Sequence, residues 1–186
     1  MTEKERRQPI RRSGFSPDNL TPEILTGIGE VVAHWSYVEF QLGVLIREAL
    51  NISRATGRVF MADMRIHPLC EAARTVTLDS TWIGDEQIRK DITKLANDID
   101  GTTQVRHDYA HGVFGFLIEE DSNALARYVQ KGGRGGRNRI EPDFEKVTPE
   151  GLKKIADVAR DLGVRAQDLT VRVKQWKQSV GLRRPK

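Results

Sequence analysis

Apolar residues recur along four stretches of the chain in alternating steps of four and three, the spacing that keeps one side of a helix turned toward a core. In the first stretch Ile24, Ile28, Val31, Trp35, Val38, Leu42 and Leu45 share the stripe. Thr21-Pro22-Glu23 leads into it with a capping hydroxyl, a proline where no amide is needed, and an early acid. The pattern predicts a helix over 22–50. The second stretch carries Ala55, Val59, Ala62, Ile66, Leu69, Ala73 and Val76, which predicts helix over 54–80. Pro68 lies inside it, and proline removes an amide and crowds the preceding turn. Either a kink or two shorter helices meeting near residue 66 is expected. The third stretch, over 85–110, opens with Asp85 and Glu86 and continues through Ile88, Ile92, Leu95 and Ile99. Extending its phase reaches Thr102, Arg106 and Tyr109. The fourth, over 149–177, starts at a Thr148-Pro149-Glu150 cap. Its stripe runs from Leu152 through Ile155, Ala159, Leu162, Ala166, Leu169 and Val173 to Trp176. Gly163 falls off that stripe and is expected to be an exposed, tolerated glycine.

Between the third and fourth helices the rhythm changes. Val113 to Ile118 and Ala124 to Val129 flank the polar run Glu119-Glu120-Asp121-Ser122-Asn123, which reads as a β-hairpin over 113–130. A flexible basic loop follows, Lys131-Gly132-Gly133-Arg134-Gly135-Gly136-Arg137. The expected fold class is mainly all-α: a four-helix bundle with a small β-hairpin insertion. A basic tail over 1–20, a helical domain over 21–178 with a β excursion at 113–147, and a second basic tail over 179–186 complete the layout.

Composition narrows the function classes. The 186 residues suit one domain, and the net charge of +4 does not by itself indicate nucleic acid. The cations cluster, however: in both tails, and at Arg127, Lys131, Arg134, Arg137 and Arg139 around the loop. Such clusters attract phosphate, although solvated tails account for the two ends. No apolar run approaches the ~20 residues that span a bilayer, and the charged N-terminal stretch has no apolar segment of a secretory signal. Cys70 is the single cysteine, so neither an intrachain disulfide nor clustered zinc thiolates can form. A cytoplasmic protein is expected, with no membrane association, metal or cofactor. The glycine-rich loop lacks the spacing of a nucleotide phosphate loop.

Chemistry concentrates in Arg106-His107-Asp108-Tyr109-Ala110-His111-Gly112. Arginine stays protonated and grips phosphate through two parallel hydrogen bonds, while histidine exchanges a proton near neutrality. With four residues between Arg106 and His111 and a polar residue after the arginine, the segment resembles the Arg-x(4–6)-His motif of HEPN proteins. The helical layout, and the stretch from Trp35 to Glu39, are similar to bacterial HEPN-like families. That resemblance implies metal-independent RNA cleavage. His111 would help deprotonate the ribose 2′-hydroxyl, and Arg106 would stabilise charge on the phosphoryl oxygens. It also implies a homodimer with two motifs lining one cleft, and a place in phage defence or a toxin–antitoxin pair. The partner would then be an antitoxin or a nucleotidyltransferase.

Five residues of regular helix rotate a side chain by about 140°, so Arg106 and His111 share a face only if the helix distorts or ends between them. Gly112 favours an ending, and a site composed from two protomers would ease the same difficulty. Arg106 falls on the core-facing phase, where a cation needs a counter-charge. Glu39, on the edge of the first helix's stripe, is the expected partner. That pair either supports catalysis or simply pins the first helix to the third. His107 and Asp108 are placed to tune the motif or bind substrate. Arg134, Arg137 and Arg139 are expected to touch RNA phosphates. His34 and His67 belong to no constellation in the sequence and read as packing or surface residues. A non-catalytic HEPN module binding RNA, a nucleotide or a protein is the alternative, and a plain helical interaction protein a third reading.

Overall fold

The computed structural model describes residues 20–61, 64–110, 113–119, 122–130 and 142–182. The chain is mainly helical, with α1 (Pro22–Leu50), α2 (Arg54–Met61), α3 (Ile66–Thr75), α4 (Glu86–Ala110) and α5 (Pro149–Ser179). Between α4 and α5 lie β1 (Val113–Glu119), β2 (Ser122–Gln130) and β3 (Pro142–Lys146).

Local signals start the two longest helices. Thr21 and Thr148 accept hydrogen bonds from the amides of Ile24 and Gly151, at 3.4 and 3.0 Å, with proline opening each helix. At α4 the carboxylate of Asp85 does the same for Ile88 at 2.9 Å. The end of α1 is set by Asn51, whose left-handed backbone (φ 55°) turns its amide back to the carbonyl of Glu48.

α1 and α5 lie side by side and run in the same direction. Gly27 meets Leu152, Tyr37 meets Gly163, and Lys177 reaches the carbonyls of Glu48 and Ala49. α4 runs the opposite way, tied to α5 by Asp91–Arg172 and Asp98–Arg165, each at 2.7 Å. The core fills with the predicted stripes: Val31, Trp35, Val38, Leu42 and Leu45 from α1, Ile92, Leu95 and Ile99 from α4, and Leu152, Ala159, Leu162 and Val173 from α5.

The second stretch forms two shorter helices, one of the two outcomes expected of it. Pro68 is the third residue of α3, in the first turn, where its missing amide has no helical acceptor to lose. Only the later half of that stripe is internal: Ile66, Leu69, Ala73 and Val76 are buried, whereas Val59 on α2 is 79% exposed. The reason is that α2 turns back along the outside of α1. A Cβ on Gly57 would lie 2.9 Å from Cδ of Arg47, so the two helices touch through the absent side chain. α3 also stops at Thr75, short of residue 80, and Thr77 caps the exit by donating to the carbonyl of Arg74 at 2.7 Å.

In place of a lone hairpin the interlude is a three-stranded antiparallel sheet, ordered β1-β2-β3. Phe116 pairs with Leu125, and Tyr128 with Phe144. β3 carries few β-formers and begins with Pro142, which an edge strand tolerates. Val147, at its exit, is buried and joins the core ahead of α5. Gly163 is also corrected. It is buried at the α1–α5 contact, where an added Cβ would come within 2.5 Å of the Tyr37 ring. No helix among the described residues is long and apolar enough to cross a membrane.

Candidate functional site

α4 carries the motif in its last turn. Ile88, Ile92, Leu95 and Ile99 bury its inner face, and the stripe resumes at Tyr109, which is buried as its phase predicts. Three hydroxyl bonds load the helix just before the motif. Thr102 donates to the carbonyls of Asp98 and Ile99, and Thr103 to that of Ile99, at 2.9–3.0 Å. Such back-bonding competes with the backbone ladder and bends helices. The helix then ends at Ala110, and β1 begins at Val113. Arg106 thus lies within the helix, close to its end.

The backbone of Arg106, His107 and Asp108 is helical, but their side chains lie outside the described residues. So do His111, and Arg134, Arg137 and Arg139 of the basic loop. Glu39, the expected partner of Arg106, is half-buried on α1. It lines a cleft of about 490 Å³ with Phe40, Gly43, Met61 and Leu69.

A polar cluster that the sequence reading missed joins α3 to α4. His67 Nδ1 lies 2.9 Å from Asp100 Oδ1, and Arg74 donates to Glu71, Asp100 and Asn97 at 2.6, 3.2 and 3.1 Å. His67 and then Arg74 hold the Asp100 carboxyl below its ordinary range. Ligand atoms of His67, Glu71 and Asp100 come within 4.8 Å of one another, the spacing of a metal site. Arg74 already occupies both carboxylates, so the chemistry is that of a cross-link between helices. Beneath it Cys70 is fully buried. Desolvation, with a further push from Asp100, raises its thiol to about 12, which keeps it protonated and unreactive. His67 thus belongs to a constellation, visible only once two segments 33 residues apart in sequence pack together.

At the far end of the bundle a second cleft, of about 780 Å³, opens between α1, α2 and α5. Its charged lining is Arg47, Glu48, Arg54, Arg58 and Lys174. Behind it the ammonium of Lys177, only 4% exposed, donates to the carbonyls of Glu48 and Ala49, in the second case at 3.0 Å. A cation at a helix C-terminus offsets the negative end of the dipole and adds a donor for the last carbonyls, which lack the full helical ladder. The sequence held a partial signal, since Arg47, Arg54 and Arg58 cluster around the Asn51-Ile52-Ser53 turn. Lys174 is remote in sequence and had none.

No family model matches the chain, and no curated protein or solved structure matches it.

Proposed function

We propose that the chain is a metal-independent RNA endonuclease of the HEPN type, a four-helix-bundle relative acting through Arg106 and His111. The observation that supports this reading is the helical backbone of Arg106, His107 and Asp108 at the end of α4. The helical bundle around it is a scaffold of the expected class.

The reaction needs no external co-reactant. His111 takes the proton from a ribose 2′-hydroxyl, and the oxygen attacks the adjacent phosphorus. The bond from phosphorus to the 5′-oxygen breaks, and that oxygen leaves as a hydroxyl after gaining a proton. The product is a 2′,3′-cyclic phosphate. Arg106 stabilises the charge that builds on the non-bridging oxygens. Glu39 orients Arg106, His107 and Asp108 tune the site, and Arg134, Arg137 and Arg139 hold flanking phosphates. A homodimer brings two such motifs into one cleft. An antitoxin or a nucleotidyltransferase as partner, in a cytoplasmic defence role, follows from the same resemblance.

The purified protein should cut single-stranded RNA with a chelator present, leave cyclic phosphate ends, and spare DNA, which lacks the attacking hydroxyl. Persistent cleavage by a well-folded His111→Ala protein would refute the mechanism. The second reading, a non-catalytic binding module, is favoured by one observation: a cationic cleft that lies away from the motif.

A further inference from the structure

We propose that the cleft between α1, α2 and α5 is a binding site for the phosphate groups of a nucleotide or an RNA strand, separate from the motif at the end of α4. The inference does not rest on the cleavage reading.

Four cations, Arg47, Arg54, Arg58 and Lys174, line this one cleft. Among the described residues none of the four makes a salt bridge or a side-chain hydrogen bond. Several cations elsewhere in the bundle do find partners: Arg74 bonds Glu71 and Asp100, Arg165 bonds Asp98, and Arg172 bonds Asp91. The single carboxylate of the cleft lining belongs to Glu48, which is 5% exposed and already engaged. Four like charges around a concavity focus a positive potential into it, and an entering anion relieves their repulsion.

Two further features point to phosphate carrying a base. The start of α2 forms part of the wall through Ser53 and Arg54. Ser53 Oγ accepts from the amide of Thr56 at 3.1 Å, which leaves the opening turn of α2, the positive end of its dipole, at the cleft. Phe40, 63% exposed, forms another part of the wall and offers a ring face on which a base can stack. The volume of about 780 Å³ is that of an ordinary ligand site.

The Lys174 end of the cleft lies far from the motif, whereas its Phe40 wall adjoins the cleft of Glu39. Lys174 lies just past Arg172, which bonds Asp91 near the start of α4. From Asp91 to Arg106 is fifteen residues, about 22 Å of helix at 1.5 Å per residue. A ligand held by Lys174 and the start of α2 thus lies well along the bundle from Arg106. It is an effector, or a more distant part of a bound strand.

The test is equilibrium binding to the full-length protein, with inorganic triphosphate, ATP and a short single-stranded RNA as separate probes. The Arg54→Gln/Arg58→Gln/Lys174→Gln variant should weaken binding of the tightest probe by about tenfold or more and reduce its salt dependence. Lys90→Gln/Lys94→Gln, on α4 and paired to Glu86 and Asp98, should bind as wild type does. Loss of ATP and triphosphate binding marks a free nucleotide as the ligand; loss confined to RNA marks a strand. The triple variant should melt no lower than wild type, since it relieves repulsion. If it melts lower, Arg58→Gln alone, at an exposed position, takes its place in the comparison. Absence of binding by all three probes up to about 1 mM, or equal affinity in wild type and the cleft variant, overturns the proposal.

Discussion

Replacing Gly163 with alanine should weaken the bundle, although it would improve the intrinsic propensity of α5. In an exposed helix interior the exchange gains about 1 kcal/mol, because glycine surrenders more backbone entropy than alanine. Gly163 is buried against α1, and a Cβ there would stand 2.5 and 2.8 Å from Cδ1 and Cε1 of Tyr37. Ordinary contact needs about 3.5–4.0 Å, so the ring must move by roughly 1 Å. Displacing a packed group costs about 1–3 kcal/mol. The same ring holds its hydroxyl 2.7 Å from Oε1 of Gln167, and losing that bond costs about 0.5–1.5 kcal/mol. The balance is a net loss of roughly 0.5–3.5 kcal/mol. Urea unfolding of wild type, Gly163→Ala, Tyr37→Ala and the double variant reads it directly. With the ring absent, Gly163→Ala should stabilise by about 1 kcal/mol, so the cycle should show a coupling of opposite sign to the propensity term. A Gly163→Ala protein more stable than wild type would refute the reasoning.

Lys177→Met should cost about 1–3 kcal/mol, read by denaturant midpoint. The ammonium is lost from the carbonyl of Ala49, while the carbonyl of Glu48 still accepts from Asn51. A more stable variant would show that desolvating the ammonium outweighs its bonds. In acid, Asp91, Asp98 and Asp100 release stabilisation together. Hydrogen bonds from Arg172, Arg165 and His67 respectively hold their carboxyls below the ordinary 3.8. Their contribution is thus complete above that value and disappears as pH falls through the lower folded values. Asp98→Asn should flatten the acid limb of a melting-temperature profile, and an unchanged limb would count against the pair with Arg165. Arg106→Ala should abolish RNA cleavage. An unchanged melt then assigns Arg106 to the chemistry, whereas a loss of ~3–5 kcal/mol without any wild-type cleavage assigns it to a buried pair with Glu39.

Much of the helical frame was legible in the sequence because its causes are local. A hydroxyl at Thr21 or Thr148 followed by proline starts a helix whatever lies around it, and a stripe such as Val31-Trp35-Val38-Leu42 states which side will be buried. Tyr109 likewise kept the phase set twenty-one residues earlier at Ile88. The errors fall where a local pattern needs a partner to give it meaning. Ala55 and Val59 repeat like core residues, yet α2 is exposed, because α4 and α5 already cover the inner face of α1. Gly163 sits off its stripe and is buried even so, because α1 approaches α5 closely enough to need a residue without a side chain. The bond between His67 and Asp100, and the meeting of Arg47, Arg54 and Arg58 with Lys174, join segments far apart in the chain. Periodicity records which way a side chain points from its own helix. What stands opposite is set by packing between helices, and that only the tertiary structure decided.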